Sequence, residues 1–296
     1  MPTLRDLVVN VRKHIEWSVR DRFPNRKVVR DVQGVRMVLP WPHRLPDYAG
    51  DTLYGQNLVN FAKLLGEADP PVRVLDVGAN VGDSTLQILH ATDARVLCVE
   101  ADPYFLEYLH LNVADKAEVE VVEALLTPDV STEATTAVRT GGTTRFAEGT
   151  VGDALASITP ADLRTQHPDF KDLRLIKSDT DGYDVVLVPA IAETWGDTKP
   201  ALFFEYDHHL SRVAGNDPLA LWPRLAALGY RDVAAWDNGG RPVGRSTVDA
   251  IGARTGPLDD KVGIRSHAYW DVAVVHQDDA VGLAALEQLV PASLAL

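Results

Sequence analysis

The sequence predicts a doubly wound α/β fold: a mostly parallel, seven-stranded, Rossmann-like sheet with an antiparallel C-terminal hairpin and an N-terminal helical and β extension. Three observations carry that expectation. Short apolar, β-rich runs alternate with stretches of helical periodicity between residues 72 and 206. The first of these runs is continuously apolar rather than alternating, as in strands covered on both faces. A turn carrying Gly78 and Gly82 joins that strand to the first helix.

At the N-terminus, Leu4, Leu7, Val8, Val11, Ile15 and Val19 recur at helical spacing and form one apolar stripe. Residues 28–39, interrupted by Gly34, suggest two short strands before the Pro-rich passage at 40–46. Residues 1–50 therefore read as an extension to a main domain at 51–296. The main domain opens with a helical pattern at 51–65, ended by Gly66 and the Pro70-Pro71 pair. Residues 72–77 make the first buried strand, 82–90 its helix and 95–100 the second strand. Asp102 and Pro103 read as the N-cap and first residue of a helix running to about Val113. Strands at 119–124 and 173–178, a helix at 185–195 and a strand at 201–206 continue the alternation.

A helix at 218–228, with Gly229 at its C-cap, then leads to a strand at 231–236. Asn238-Gly239 marks a turn before a last strand at 269–276, so the sheet ends in antiparallel pairing. The Thr- and Gly-rich excursion at 131–150 reads either as a lid over a ligand or as a surface hairpin.

With 296 residues, 46% of them hydrophobic and 24% charged, the composition is that of a globular protein with a sizeable core. No apolar run approaches the roughly 18 residues of a membrane span. The N-terminus lacks the uninterrupted apolar region of a secretory signal, so a cytoplasmic location is expected. The single cysteine, Cys98, leaves no internal disulfide or multi-cysteine metal site and reads as an inert buried thiol. A formal net charge of −13 argues against a phosphate-binding face and so against nucleic acid. Residues 1–30 nevertheless carry eight Lys/Arg against three Asp/Glu. Such a basic amphipathic helix either touches an anionic membrane surface or packs on its own domain or a second subunit, which makes a homodimer one option.

An open α/β sheet binds its ligand beyond the carboxyl ends of its strands. There Gly78 allows a tight turn and close backbone approach, and Gly82 lets the helix begin near the sheet with free N–H groups. The pattern departs from the dinucleotide G-x-G-x-x-G, because position 80 is Asn and the third glycine is displaced. Glu100 ends the second strand about twenty residues later, where an acid can accept from ribose hydroxyls. These features point to a nucleoside-bearing ligand and leave adenosylmethionine and NAD both open.

Four segments, taken in order, resemble the FkbM family of methyltransferases. They are Leu75-Asp76-Val77-Gly78-Ala79-Asn80-Val81-Gly82, Val99-Glu100-Ala101-Asp102-Pro103, Ile176-Lys177-Ser178-Asp179-Thr180-Asp181-Gly182-Tyr183-Asp184 and Phe203-Phe204-Glu205-Tyr206. The resemblance covers residues 70–275. The family's fourth-strand motif reads like K-x-D-x-E-G-x-E, so Asp181 and Asp184 are shortened acids here. The resemblance implies a class I methyltransferase fold and S-adenosylmethionine as cofactor. It also implies O-methylation of a small hydroxylated molecule, such as a natural product or sugar. Under it Asp76, Gly78, Asn80, Gly82, Glu100, Asp102 and Asp179 form the expected cofactor-binding set.

Methyl transfer from a sulfonium requires in-line alignment of the acceptor oxygen, exclusion of water and, for an alcohol, a base. Asp179, Asp181, Glu205, Asp207, His208 and His209 fall at the ends of the fourth and fifth strands. His208 or His209 is the favoured base, with Asp181 a further candidate. Asp179, Asp181 and Glu205 could also hold Mg²⁺, but the main reading is that Asp179 and Asp181 orient the cofactor amine and Lys177. Two other functional classes stay open: a nicotinamide-dependent oxidoreductase or epimerase, and a cofactor-binding scaffold without catalysis.

Overall fold

The computed structural model describes residues 16–50, 53–129, 155–261 and 268–296, together with the backbone of 135–140 and 143–148. The chain opens with β1 (Lys27–Val32), β2 (Val35–Pro40), α1 (Leu45–Ala49) and α2 (Gln56–Ala68). β3 (Val72–Val77), α3 (Asp83–Ala91), β4 (Ala94–Glu100), α4 (Pro103–Val113) and β5 (Val119–Glu123) follow. Next come β6 (Leu125–Leu126), β7 (Thr135–Thr140), β8 (Thr143–Glu148), β9 (Ser157–Ile158) and α5 (Pro160–Gln166). The second half contains β10 (Leu175–Ser178), α6 (Asp184–Thr194), β11 (Ala201–Tyr206), α7 (His208–Val213) and α8 (Leu221–Ala227). It closes with β12 (Tyr230–Asp237), β13 (Pro242–Thr247), α9 (Val248–Ile251), β14 (Trp270–His276) and α10 (Ala280–Leu289).

The main sheet runs β13-β12-β14-β11-β10-β3-β4-β5. From β5 to β11 all neighbours are parallel, whereas β14 is antiparallel to both β11 and β12, and β12 is antiparallel to β13. Among the described residues the sheet thus has eight strands rather than the expected seven. The Asn238-Gly239 turn joins β12 to β13, and β14 inserts between β11 and β12. β13 escaped notice because Pro242 and Gly244 interrupt it, which an edge strand tolerates and an interior one does not.

Strand parity assigns the faces. Along β11, Ala201 and Phe203 pack into one apolar cluster and Leu202, Phe204 and Tyr206 into the other. The first cluster takes its helical residues from α1, α2, α3, α4 and α10; the second takes them from α5, α6, α8 and α9. The β1–β2 hairpin belongs to the first core through Val32, Met37 and Leu39. Buried Asn112 fastens it there. Its amide donates to Val38 O at 2.9 Å and Val81 O at 2.8 Å, and its oxygen accepts from Val38 N at 2.7 Å.

Most of the expected N-terminal apolar stripe lies outside the described residues. Where description begins, residues 16–20 are helical, Trp17 donates to Asp47 at 2.9 Å, and Arg44 binds Asp21 at 2.7 Å and stacks over the Trp17 ring. This end of the segment therefore packs on the chain's own α1. Of the 131–150 excursion, the described backbone is the β7–β8 antiparallel hairpin. No helix among the described residues is long and apolar enough to cross a membrane.

Candidate functional site

The order of the sheet reverses between β3 and β10, and a cavity of about 460 Å³ opens beyond the carboxyl ends of β4, β3, β10 and β11. That is the crevice in which an open α/β sheet binds its ligands, and the volume suits a cofactor-sized molecule. Because β14 is antiparallel, its start reaches the same edge, where Asp271 and the preceding Tyr269 line the cavity.

The floor is the β3–α3 loop. Gly78 has φ +70°, and a Cβ there would lie 2.0 Å from Asp179 O, so only glycine lets β3 and β10 end this close together. Asn80 also sits at positive φ and donates its N–H to Glu100 Oε2 at 2.8 Å. Glu100 Oε1 accepts from Ala101 N at 2.9 Å and Asp102 N at 2.8 Å. Three of about four lone-pair sites on the carboxylate are therefore occupied, leaving capacity for one further donor such as a ribose hydroxyl. Burial raises the pKa of Glu100, against the lowering effect of these backbone N–H groups.

His43 closes the loop from above. Its Nδ1 accepts from Leu45 N at 3.3 Å, which leaves the proton on Nε2 to donate to Asn80 Oδ1 at 3.2 Å. Burial lowers its pKa and keeps the ring neutral.

Beneath the floor, Lys177 on β10 forms an ion pair with the fully buried Asp76 at 2.9 Å and donates to Gly78 O at 3.0 Å. Asp76 also accepts from Thr85 Oγ1 at 2.8 Å. Burial alone would lower the lysine's pKa, but the charges of Asp76 and Asp179 outweigh it and the net shift is upward. Asp76 is therefore a positioning residue beneath the cavity rather than part of its wall.

Asp184 positions the next loop in the same way. It accepts from Ser178 Oγ at 2.6 Å and from Thr180 N at 3.2 Å, and burial pushes its pKa up to about 6. This holds Asp179 and Asp181 on the cavity wall.

The far end is acidic and aromatic. Glu205 and Asp271 are register partners across β11 and β14, so their side chains stand side by side on the α2 face. Asp271 accepts from Asn57 Nδ2 of α2 at 2.7 Å, and burial pushes its pKa up to about 7. Glu205 is driven well above the ordinary carboxylate range, first by burial and then by the charges of Asp179, Asp181, Asp184 and Asp207. Tyr54 and Tyr269 complete this end, with Tyr48 packed on Tyr54 at the rim at a ring separation of 5.8 Å. Gln33, in the β1–β2 turn, anchors the Tyr54 segment by donating to Ala49 O and Tyr54 O at 3.1 and 3.0 Å.

Of the residues expected from the sequence, Gly78, Asn80, Glu100, Asp179, Asp181 and Glu205 line the cavity. Three others support it from outside. Asp76 holds Lys177. Gly82 admits α4, since a Cβ there would meet Leu109 at 2.8 Å. Asp102 is wholly buried and caps α4 by accepting from Tyr104 N at 2.9 Å.

The two favoured bases, His208 and His209, are not brought to the cavity, whereas Asp181 is. Asp207 caps α7 by accepting from Leu210 N at 2.8 Å, and the chain turns away at that point. The His208 ring is buried, held by Asp259 at 3.0 Å and Tyr206 Oη at 3.1 Å. His209 is on the surface of the same helix. Among the described residues no group of three or more His, Cys, Asp or Glu is placed to hold a metal ion, so Asp179, Asp181 and Glu205 do not converge as ligands. Cys98 is buried, and burial raises its thiol pKa.

Sequence reasoning missed Asp83, Asn57, Tyr269 and Asp271. For Asp271 a signal existed: an acid at the head of an apolar strand at 270–276.

No family model and no curated protein matches the chain. Solved structures with a similar chain path include the O-methyltransferase from Bacillus cereus in complex with SAH, 16% identical, covering 73% of this chain and 80% of that one at a TM-score of 0.41. A TehB-like SAM-dependent methyltransferase from Corynebacterium glutamicum is 14% identical, with coverages of 79% and 94% and a TM-score of 0.40. The Methanococcus jannaschii fibrillarin pre-rRNA processing protein is 12% identical, with coverages of 69% and 66% and a TM-score of 0.40. At these values the likeness carries no functional argument for this chain. A net charge of −13 does not by itself exclude nucleic acid, since a local basic face is compatible with it.

Proposed function

We propose that the chain is an S-adenosylmethionine-dependent O-methyltransferase of the FkbM kind, acting on a hydroxyl of a small molecule. The observation that carries the reading is the charge of the cavity. Asp83, Glu100, Asp179, Asp181, Glu205 and Asp271 line it, whereas its positive side chains, Lys177 and Arg44, are bound to Asp76 and Asp21. Adenosylmethionine carries a sulfonium and an ammonium against one carboxylate, so it arrives as a net cation. A nicotinamide dinucleotide brings two phosphate charges into the same acidic enclosure and is disfavoured.

Under this reading Glu100 accepts from the ribose, the loop 78–80 lies against the nucleoside, and the N-terminal turn of α3 receives the cofactor carboxylate. When bound, the cofactor supplies an electrophilic methyl group. The chain's own residues orient the acceptor, exclude water and take the hydroxyl proton. Asp271 suits that last role, because a pKa near 7 makes a carboxylate an effective base at neutral pH.

Calorimetry with S-adenosylhomocysteine tests the reading. The expected result is one site on the wild type, weakened at least tenfold in Glu100→Ala, and no site for NADH. A wild type that binds NADH and not S-adenosylhomocysteine overturns it.

A further inference from the structure

We infer that the acceptor is a hydroxylated amine, presenting its hydroxyl to Asp271 and a neighbouring ammonium to Glu205 beneath the rings of Tyr54 and Tyr269. The inference rests on the methyltransferase reading and deepens it by naming the substrate class.

It starts from Glu205, which faces the cavity at the end of β11 and has no hydrogen-bonding or ion-pairing partner among the described residues. A half-buried carboxylate that faces an enclosed cavity and is left unpaired is costly. The strongest charges acting on it are of the same sign: Asp179, Asp181, Asp184 and Asp207. A cationic ligand group removes both costs at once.

The cofactor cannot be that group at this end. With the ribose at Glu100 on β4, the nucleoside occupies the β4–β3 side, and Glu205 and Asp271 lie beyond β10 on the other side of the switch point. The cofactor's single net positive charge also leaves most of the six lining acids uncompensated.

A metal ion is a poorer fit than an organic cation, since no three acids converge on one point among the described residues. Spaced carboxylates with tyrosines between them suit a molecule-sized cation, and an ammonium over a tyrosine face gains a further cation–π attraction. Adjacent pairing of Glu205 and Asp271 places the two recognised groups close together on the acceptor, because paired residues have Cβ atoms about 5 Å apart. The Tyr269 hydroxyl, also without a hydrogen-bond partner among the described residues, adds a polar contact at the same end.

The test is a panel of amino sugars, aminocyclitols and amino alcohols, each paired with its N-acetyl derivative. Binding is measured by calorimetry on the unloaded protein and on protein saturated with S-adenosylhomocysteine. The expected result is binding confined to free amines, with at least a tenfold preference over the N-acetyl partner. Glu205→Gln is expected to abolish that preference while the S-adenosylhomocysteine affinity stays within about threefold.

Equal binding of N-acetyl members, no binding by any free amine, retention of the preference in Glu205→Gln, or an absolute requirement for added Mg²⁺ overturns the inference. The wild-type comparison decides it without any variant. Failure of the methyltransferase reading shows separately, as absence of S-adenosylhomocysteine binding.

Discussion

Lys177 and Asp76 illustrate how a pair of buried charges can serve a site that only one of them touches. Lys177 is drawn to the end of β10 by Asp76 and in turn holds the carbonyl of Gly78, so the ion pair fixes the path of the loop. Replacing Lys177 by Met strands the Asp76 charge in the core, and loss of one partner of a buried pair costs about 3–5 kcal/mol. Urea denaturation is expected to show that loss in Lys177→Met and a partial recovery in the double variant Asp76→Asn/Lys177→Met. Equal instability in both variants counts against the pairing. Asp76, Gly82 and Lys177 all fall within motifs visible in the sequence. What the motifs could not reveal is that two of the three lie behind the wall rather than on it, because strand alternation gives a face and not a depth.

Among the elements, α7 altered the expected chemistry most. Two adjacent histidines after a strand looked like bases, yet Asp207 starts a helix there and the His208 ring ends up between Tyr206 and Asp259. A six-residue helix capped by one aspartate leaves little periodicity to detect. His208→Ala is expected to lower stability by about 1–3 kcal/mol through loss of buried hydrogen bonds. Its affinity for S-adenosylhomocysteine should be unchanged, as read by a thermal melt beside a titration. A variant of normal stability that has lost only turnover restores His208 as the base.

Between β3 and β11 the strands of the main sheet and the helices α3, α4 and α6 were legible because each is an apolar run or regularly periodic, whereas α5 and the two-residue strands β6 and β9 are too short to leave such a signal. β13 was not legible either, since an edge strand needs no apolar run.

At the scale of the whole molecule, the cavity gathers acids from four strand ends, the start of α3 and the loop before α6, and folding has to tolerate them. The pKa values of Asp271, near 7, and of Asp83 and Asp184, near 6, lie above the ordinary carboxylate value of roughly 4. Between those limits the native state holds protons that the unfolded chain has released. Stability is therefore fully present at low pH with respect to these groups and is lost as pH rises through 6 to 7. Denaturant titrations across pH 4.5–8 are expected to show that decline, and Asp271→Asn is expected to flatten it and to be more stable than the wild type at pH 8. A profile that rises over the same interval contradicts the burial of these acids.

The alternation of apolar runs and helical periods determined the class of fold, and the glycine turn with Glu100 determined where a nucleoside could lie. Both signals are local, spanning a strand, a turn and a helix start. The acceptor end was decided by tertiary structure alone. Glu205 and Asp271 stand 66 residues apart in sequence and become neighbours only because β14 runs antiparallel beside β11. Asn57 and Tyr54 join them because α2 packs across that face. Pairing between distant strands follows from the shared burial of apolar faces, a property of the folded chain as a whole that no window of sequence contains.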